Sequence, residues 1–271
     1  MRTPYSLFTR TSKKSGKIKW YARFWDEEAG RYSRAQALNV PFAGRRNGRD
    51  LAIQAAQATV AKMKRETVDL SEFLFGLNCG TSDTTSGLSS NVALGHCSDR
   101  VIREGGRSIL AEFPELMGAE SWLASKAVSP EVAKKIYDSI DSYEKRILAT
   151  GEDIRGSQPT GDNIAGGIST IEEKSLGGAK KSGSAPIQDV IFYAERPGKT
   201  PGVYMMYTPG HGSESITGIA AAGAQVLVFS TGGGHTISHP IMPTIKITGN
   251  ATSYELMQDT VDLDLSGILK G

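Results

Sequence analysis

From residue 69 onward, short apolar runs of β character alternate with stretches of helical character. RSILAEF (107–113), VIFYAE (190–195), VYMMYT (203–208), VLVFST (226–231) and PTIKIT (243–248) are rich in Val, Ile, Phe and Tyr and predict strands. Between them, PELMGAESWLASKAV, SPEVAKKIYDSIDSYEKRILAT and SESITGIAAAGA predict helices. The second of these opens on Ser129-Pro130-Glu131, an N-cap, a proline at the first helical position and an early acid. Strands alternating with helices predict a layered α/β domain over 69–271.

The first 68 residues have a different texture. YSLFTR (5–10), KIKWYARFWD (17–26) and RYSRAQALNV (31–40) are β-rich and are separated by SKKSG and DEEAG, both good turn chemistry. In the middle run Ile18, Trp20, Ala22 and Phe24 alternate with Lys19, Tyr21, Arg23 and Trp25, the period of a half-buried strand. FAGRRNGR then leads into DLAIQAAQATVAKMKRE, a helix with Asp50 as its N-cap. The expectation for 1–68 is a small three-stranded β-sheet plus one helix, which is a marginal core on its own.

Charge sharpens this division. The whole chain carries only +2, yet residues 1–66 hold 15 Lys/Arg against 5 Asp/Glu, a net of +10, which leaves 16 against 24, or −8, for the rest. A basic head predicts a polyanionic partner, whereas an acidic body requires only water. Hydrophobic content of 39% and charged content of 22% are ordinary for a soluble globular protein. No apolar run approaches the roughly 18 to 20 residues that cross a bilayer, and MRTPYSLFTRTSKK lacks the apolar stretch of a signal peptide. The expected location is cytoplasmic, with no membrane partner. Two cysteines, Cys79 and Cys97, give no disulfide framework.

Four glycine-rich or polar clusters interrupt the α/β pattern: GLNCGTSDTTSG (76–87), GDNIAGGISTIEEKSLGG (161–178), YTPGHGSESITG (207–218) and STGGGHTISHPIMPT (230–244). Each sets Gly, Ser or Thr beside a Cys, Asp, Lys or His at an element boundary, where α/β folds carry ligand groups. Glycine lets backbone amides approach an anion, and a helix N-terminus adds favourable partial charge. A carboxylate or phosphate ligand is therefore expected. Three of the four histidines, His211, His235 and His239, fall inside these clusters. His239 precedes Pro240 and is read as capping a turn; His96 and Cys97 lie in a helical stretch and are read as structural.

GLNCGTSDTTSGLSSNVALG, REGGRSILAEFPELMGAE, AGGISTIEEKSLGGAKKSG, TPGHGSESITGIAAAGAQVLVFSTGGG and PIMPTIKITGN follow one another in an order that resembles the C-terminal part of the altronate/galactarate dehydratase family. The large subunit of sulfolactate sulfo-lyase is a related branch. The resemblance implies a metal-assisted lyase that eliminates water, or sulfite in that branch, from a sugar acid or related 2-hydroxy acid. It implies a divalent metal, iron or manganese, for which His211 and Glu112 are candidate ligands and Cys79 a candidate ligand or polarising group. Lys174 is assigned as base or carboxylate partner, His235 as leaving-group acid or metal ligand, and Asp83 as a further catalytic or ligating carboxylate. Gly80, Thr81, Ser82, Ser175 and Gly233 are assigned to substrate binding, with amides near Gly80 and Gly233 as anion donors.

The chain departs from the family pattern in two places. Thr231-Gly232-Gly233-Gly234-His235 stands where the family commonly has an Arg within TTGRG, and Ser157-Gln158-Pro159 alters the start of an Asn-Pro motif. Losing the Arg removes a bidentate carboxylate partner, so the substrate is expected to differ from altronate. The head resembles the arm-type DNA-binding domain of phage-type tyrosine recombinases, on YSLFTR, KWYARFWDEEAGRYSRA and the Ala-rich helix, and this implies DNA binding. Full-length dehydratases of this family carry a small β-rich domain and another α/β segment before the matching part. The expectation is thus a truncated chain, either active with a second polypeptide that supplies these parts or an inactive remnant whose basic head binds DNA, in a homo-oligomer.

Overall fold

The computed structural model describes residues 5–11, 18–26, 31–32, 36–37, 58 and 67–270. The chain divides into two compact units, Met1–Val68 and Asp69–Gly271. In the first, β1 (Tyr5–Thr11) pairs antiparallel with β2 (Ile18–Asp26), which also pairs with β3 (Arg31–Tyr32) and β4 (Gln36–Ala37). The helix expected after Asp50, and the aromatic side chains of this unit, lie outside the described residues.

The second unit is an α/β domain built on seven parallel strands: β5 (Leu74–Gly80), β6 (Arg107–Leu110), β7 (Ile187–Ile191), β8 (Gly202–Met206), β9 (Val226–Thr231), β10 (Thr244–Thr248) and β11 (Leu263–Asp264). Their order in the sheet is β11-β10-β9-β5-β6-β8-β7. Around the sheet lie α1 (Asn91–Arg103), α2 (Glu120–Ser125), α3 (Pro130–Leu148), α4 (Ile154–Ser157), α5 (Gly161–Ala165), α6 (Ile171–Ala179), α7 (Gly212–Ala221) and α8 (Ala251–Leu256).

Side-chain alternation along the strands divides the core into two layers. Phe75, Leu77, Leu110, Val203, Met205 and Val228 face one layer, with Leu94 of α1, Ile136 and Ile140 of α3 and Ile171 of α6. Leu74, Ile109, Tyr204, Met206, Leu227 and Phe229 face the other, with Ile216 and Ile219 of α7. Both faces are covered, as an all-parallel sheet requires. No helix among the described residues is long and apolar enough to cross a membrane.

Most of the expected strands are present, and β9 begins and ends where the sequence pattern placed it. Four expectations need correction. RSILAEF is a strand only as far as Leu110, since Glu112 is left-handed, and PELMGAESWLASKAV is helical only in part, with a single tight turn at Phe113–Leu116 followed by α2. The run at 190–195 is the end of β7 plus a turn: Ala194 has φ 64°, Glu195 N donates to Phe192 O, and Phe192 is 74% exposed. The start of GLNCGTSDTTSG, read as a loop cluster, is the central strand β5. Its glycine and asparagine are packing solutions. A Cβ on Gly76 would lie 2.7 Å from Ile219 Cγ2 and 2.9 Å from Leu227 Cδ1, and the buried Asn78 donates to Ser215 Oγ at 2.7 Å. The start of α3 is as expected, with Ser129 Oγ accepting from Val132 N at 3.3 Å.

Candidate active site

The strand order reverses direction between β5 and β9, since the chain runs from β5 through β6, β7 and β8 on one side and returns to β9, β10 and β11 on the other. Ligands of open parallel sheets bind in the crevice this reversal leaves at the carboxyl ends of the strands. A cavity of about 280 Å³ opens there. Cys79, Gly80, Thr81 and Ser82 reach it from the end of β5, Glu112 and Glu115 from the segment after β6, and His211 from the loop before α7. Lys174 reaches it from α6 and His235 from the loop after β9.

Lys174 is 8% exposed. Its ammonium donates to Gln158 Oε1 at 2.5 Å and Asn163 Oδ1 at 2.9 Å, and pairs with Glu115 Oε2 at 3.0 Å. Three acceptors take its three N–H donors, so Lys174 is an anchored cation rather than a base, and acts on a carboxylate through its charge and not through a free N–H. A base would need a neutral amine with its lone pair turned to the substrate. Asn163 also donates to Ser82 O at 2.8 Å, tying the β5 loop to the same network.

His235 is fixed by a backbone amide: Ile237 N donates to its Nδ1 at 3.1 Å. In the neutral ring this places the proton on Nε2, making that nitrogen a donor. Burial, with contributions from Lys246 and His211, holds His235 below its ordinary value of 6.5, so the neutral form dominates at neutral pH. A ring whose Nδ1 is taken and whose Nε2 carries hydrogen has no lone pair for a metal.

Behind the cavity wall lies a group that sequence reasoning missed. Lys181 is completely buried, with Nζ 2.7 Å from Cys79 Sγ and 2.9 Å from Glu112 Oε2. The same oxygen of Glu112 accepts from Cys79 N at 2.8 Å. Burial pushes the Cys79 thiol up to about 12, and Glu112 adds to this, so Cys79 is a thiol at neutral pH. Burial also raises the Glu112 carboxyl, against the pull of Lys181. Burial alone would lower Lys181; its two partners outweigh this and raise it, and with Cys79 neutral the Glu112 carboxylate is the partner that holds the charge. Nothing in AKKSG separates Lys181 from its exposed neighbour Lys180.

Two of the three expected metal ligands, Cys79 and Glu112, are engaged with Lys181, and the third, His211, lines the cavity. Cys79 and Glu112 already share one ammonium, which a second cation would have to displace. Among the described residues no group of three or more His, Cys, Asp or Glu side chains is arranged to hold a metal ion.

The remaining assignments divide. Gly80, Thr81 and Ser82 line the cavity; Asp83, Ser175 and Gly233 do not. Asp83 caps the turn leading to α1, its carboxylate accepting from Thr85 Oγ1 at 2.6 Å, Ser86 N at 3.0 Å and Asn250 Nδ2 at 2.9 Å. Ser175 is turned to Met117 O. The Gly233 amide donates to Thr81 O at 2.8 Å, so it is not a free anion donor. Its lack of a side chain serves packing, because a Cβ there would meet Thr81 Cγ2 at 2.6 Å. His239 lies outside the cavity, its backbone N donating to Thr244 Oγ1 at 3.3 Å in a turn.

Residues 70–271 match the D-galactarate/altronate dehydratase family, in its C-terminal domain. The chain belongs to this family. It is 39% identical over 206 residues to the altronate dehydratase of Bacillus subtilis (strain 168), covering 76% of this chain and 41% of that relative. It is 33% identical over 249 residues to (2R)-sulfolactate sulfo-lyase subunit beta of Chromohalobacter salexigens, covering 91% of this chain and 61% of the relative. The galactarate dehydratase (L-threo-forming) of Escherichia coli (strain K12) is 32% identical over 222 residues, covering 81% of this chain and 42% of the relative. The chain thus spans well under half the length of the dehydratases it matches. The sulfo-lyase match, at 91% of the chain, reaches back into the first unit. In this dehydratase-family domain the long motifs coincide with the strand ends that build the cavity, which is why they were legible before the geometry was.

Proposed function

We propose that Asp69–Gly271 carries the elimination chemistry of a sugar-acid lyase, removing water from a sugar acid or related 2-hydroxy acid. The observation that carries this reading is one cavity, at the reversal of strand order, lined by an anchored cation, two imidazoles and three carboxylates: Lys174, His211, His235, Glu112, Glu115 and Asp162. Elimination requires a proton to leave carbon beside a carboxylate, the enediolate to be stabilised, and a poor leaving group to be helped away. Lys174 serves the carboxylate, the loop Gly80–Ser82 the hydroxyls, and the Nε2–H of His235 the leaving group. The sulfo-lyase relative supports a second substrate class, in which sulfite leaves. Its name as a subunit also supports a partner polypeptide for this chain. The net +10 of residues 1–66 supports contact between the first unit and a polyanion such as duplex DNA.

The test follows 2-keto acid formation by the full chain from altronate, galactarate and sulfolactate. It is run with and without iron or manganese, and with and without a supplied upstream domain of a relative. One acid is converted, and Lys174→Ala lowers kcat/KM about 10²-fold or more, the scale of a lost catalytic or positioning group. No conversion of any acid under every condition overturns the reading.

A further inference from the structure

The triad of Cys79, Glu112 and Lys181 is left over once carboxylate, hydroxyls and leaving group have been assigned, and the elimination still lacks a base. Glu112 is one of two non-glycine residues at the cavity with a positive φ, the other being Thr81. The Glu112 backbone is left-handed, with φ 68° and ψ 66°, a conformation that a residue with a side chain holds only when its surroundings enforce it. Three contacts do so. Glu112 N donates to Thr208 Oγ1 at 2.7 Å, and Oε2 accepts from Cys79 N and Lys181 Nζ. Both hydrogen bonds to the carboxylate fall on Oε2, and Glu112 lines the cavity. One oxygen is clamped and the other is left for a ligand.

We propose that Glu112 is the base that takes the C2 proton of the substrate through Oε1, and that Lys181 is the positioning residue that fixes it. This rests on the elimination reading above and adds its missing proton acceptor. The C2–H bond breaks and its electron pair becomes the C2=C3 bond. The C3–O bond breaks, and the departing hydroxide leaves as water with the Nε2 proton of His235, which solvent replaces as Glu112 gives up the proton it took. The enol then ketonises to the 2-keto acid, so no external oxidant or co-reactant is needed. Burial brings the carboxyl upward, toward the range in which a base works at neutral pH. The groups that act on it are the Lys181 ammonium and the Cys79 backbone amide behind it and the Glu115 carboxylate, itself paired with Lys174, beside it.

Oxalate, a planar dianion that copies the enediolate, is the probe. Calorimetry of its binding to the full chain, in buffers of different ionisation heat, counts the protons exchanged. A carboxylate base meeting this dianion takes up about one proton, through the linkage between binding and protonation. Wild type shows that uptake, and Glu112→Gln binds oxalate without it. If the single variant does not fold, Glu112→Gln with Lys181→Met keeps the buried pair uncharged and gives the same readout. Lys181→Arg retains the uptake. Lys181→Met moves its pH profile upward, because the cation that opposes the rise of Glu112 is gone; a purely structural lysine would leave the profile in place. Undiminished uptake in Glu112→Gln overturns the base assignment and leaves the elimination reading standing. Failure of wild type to bind oxalate overturns both.

Discussion

Lys181 Nζ lies 2.9 Å from Glu112 Oε2, and neither side chain is more than 2% exposed. A pair this deep is costly to build and costlier to break, since removing one member strands the other charge without water. Lys181→Met alone should lower the unfolding free energy by about 3–5 kcal/mol, read from urea denaturation. Adding Glu112→Gln should restore much of the loss. Equal losses in the single and double variants would show that the charge pairing is not what the fold depends on.

His235 gives stability a pH dependence with a definite sign. It is held below its ordinary 6.5 by burial, Lys246 and His211, so the unfolded chain takes up the proton first. As pH falls below 6.5 stability should decline, until folded His235 itself titrates and the curve flattens. His239, also held down by burial, adds to the same slope. His235→Gln should make the decline shallower in melting temperature against pH. A slope unchanged by the substitution would place the dependence elsewhere.

The ammonium between Cys79 and Glu112 leaves no room for a metal coordinated by both. Iron and manganese measured in the full chain, purified without chelator, should therefore be the same for wild type and Cys79→Ser. A drop in the variant would make Cys79 a ligand and require Lys181 to move aside.

If the first unit meets duplex DNA through phosphates, retardation of DNA by the full chain should weaken steeply as salt rises, because each neutralised phosphate releases counterions. The Lys/Arg excess of residues 1–66 sets this expectation. Binding indifferent to salt, or none at low ionic strength, would mean that this charge simply faces water.

Much of the fold was legible because buried parallel strands are continuous apolar runs; VLVFST needs no context to be recognised as β9. LFGLNCG defeated the same rule. Its Gly76 and Asn78 are dictated by Ile219, Leu227 and Ser215, which are distant in sequence. The site divided along similar lines. Lys174, His211 and His235 sit in motifs whose composition announces a strand end, and the cavity brings them together. Asp83 and Gly233 sit in the same motifs, yet are used to stitch loops to each other. Lys181 was illegible for a plainer reason: adjacent lysines look alike, and only the turn after α6 decides which one enters the interior.

The position of β5 has a consequence for how this domain comes into being. Its two edges are completed by Arg107–Leu110 and by Val226–Thr231, the second about 150 residues later along the chain. During synthesis the middle of the sheet therefore waits, half-paired, while most of the domain is still being made. Such long-range closure is slow and leaves a sticky apolar edge uncovered meanwhile.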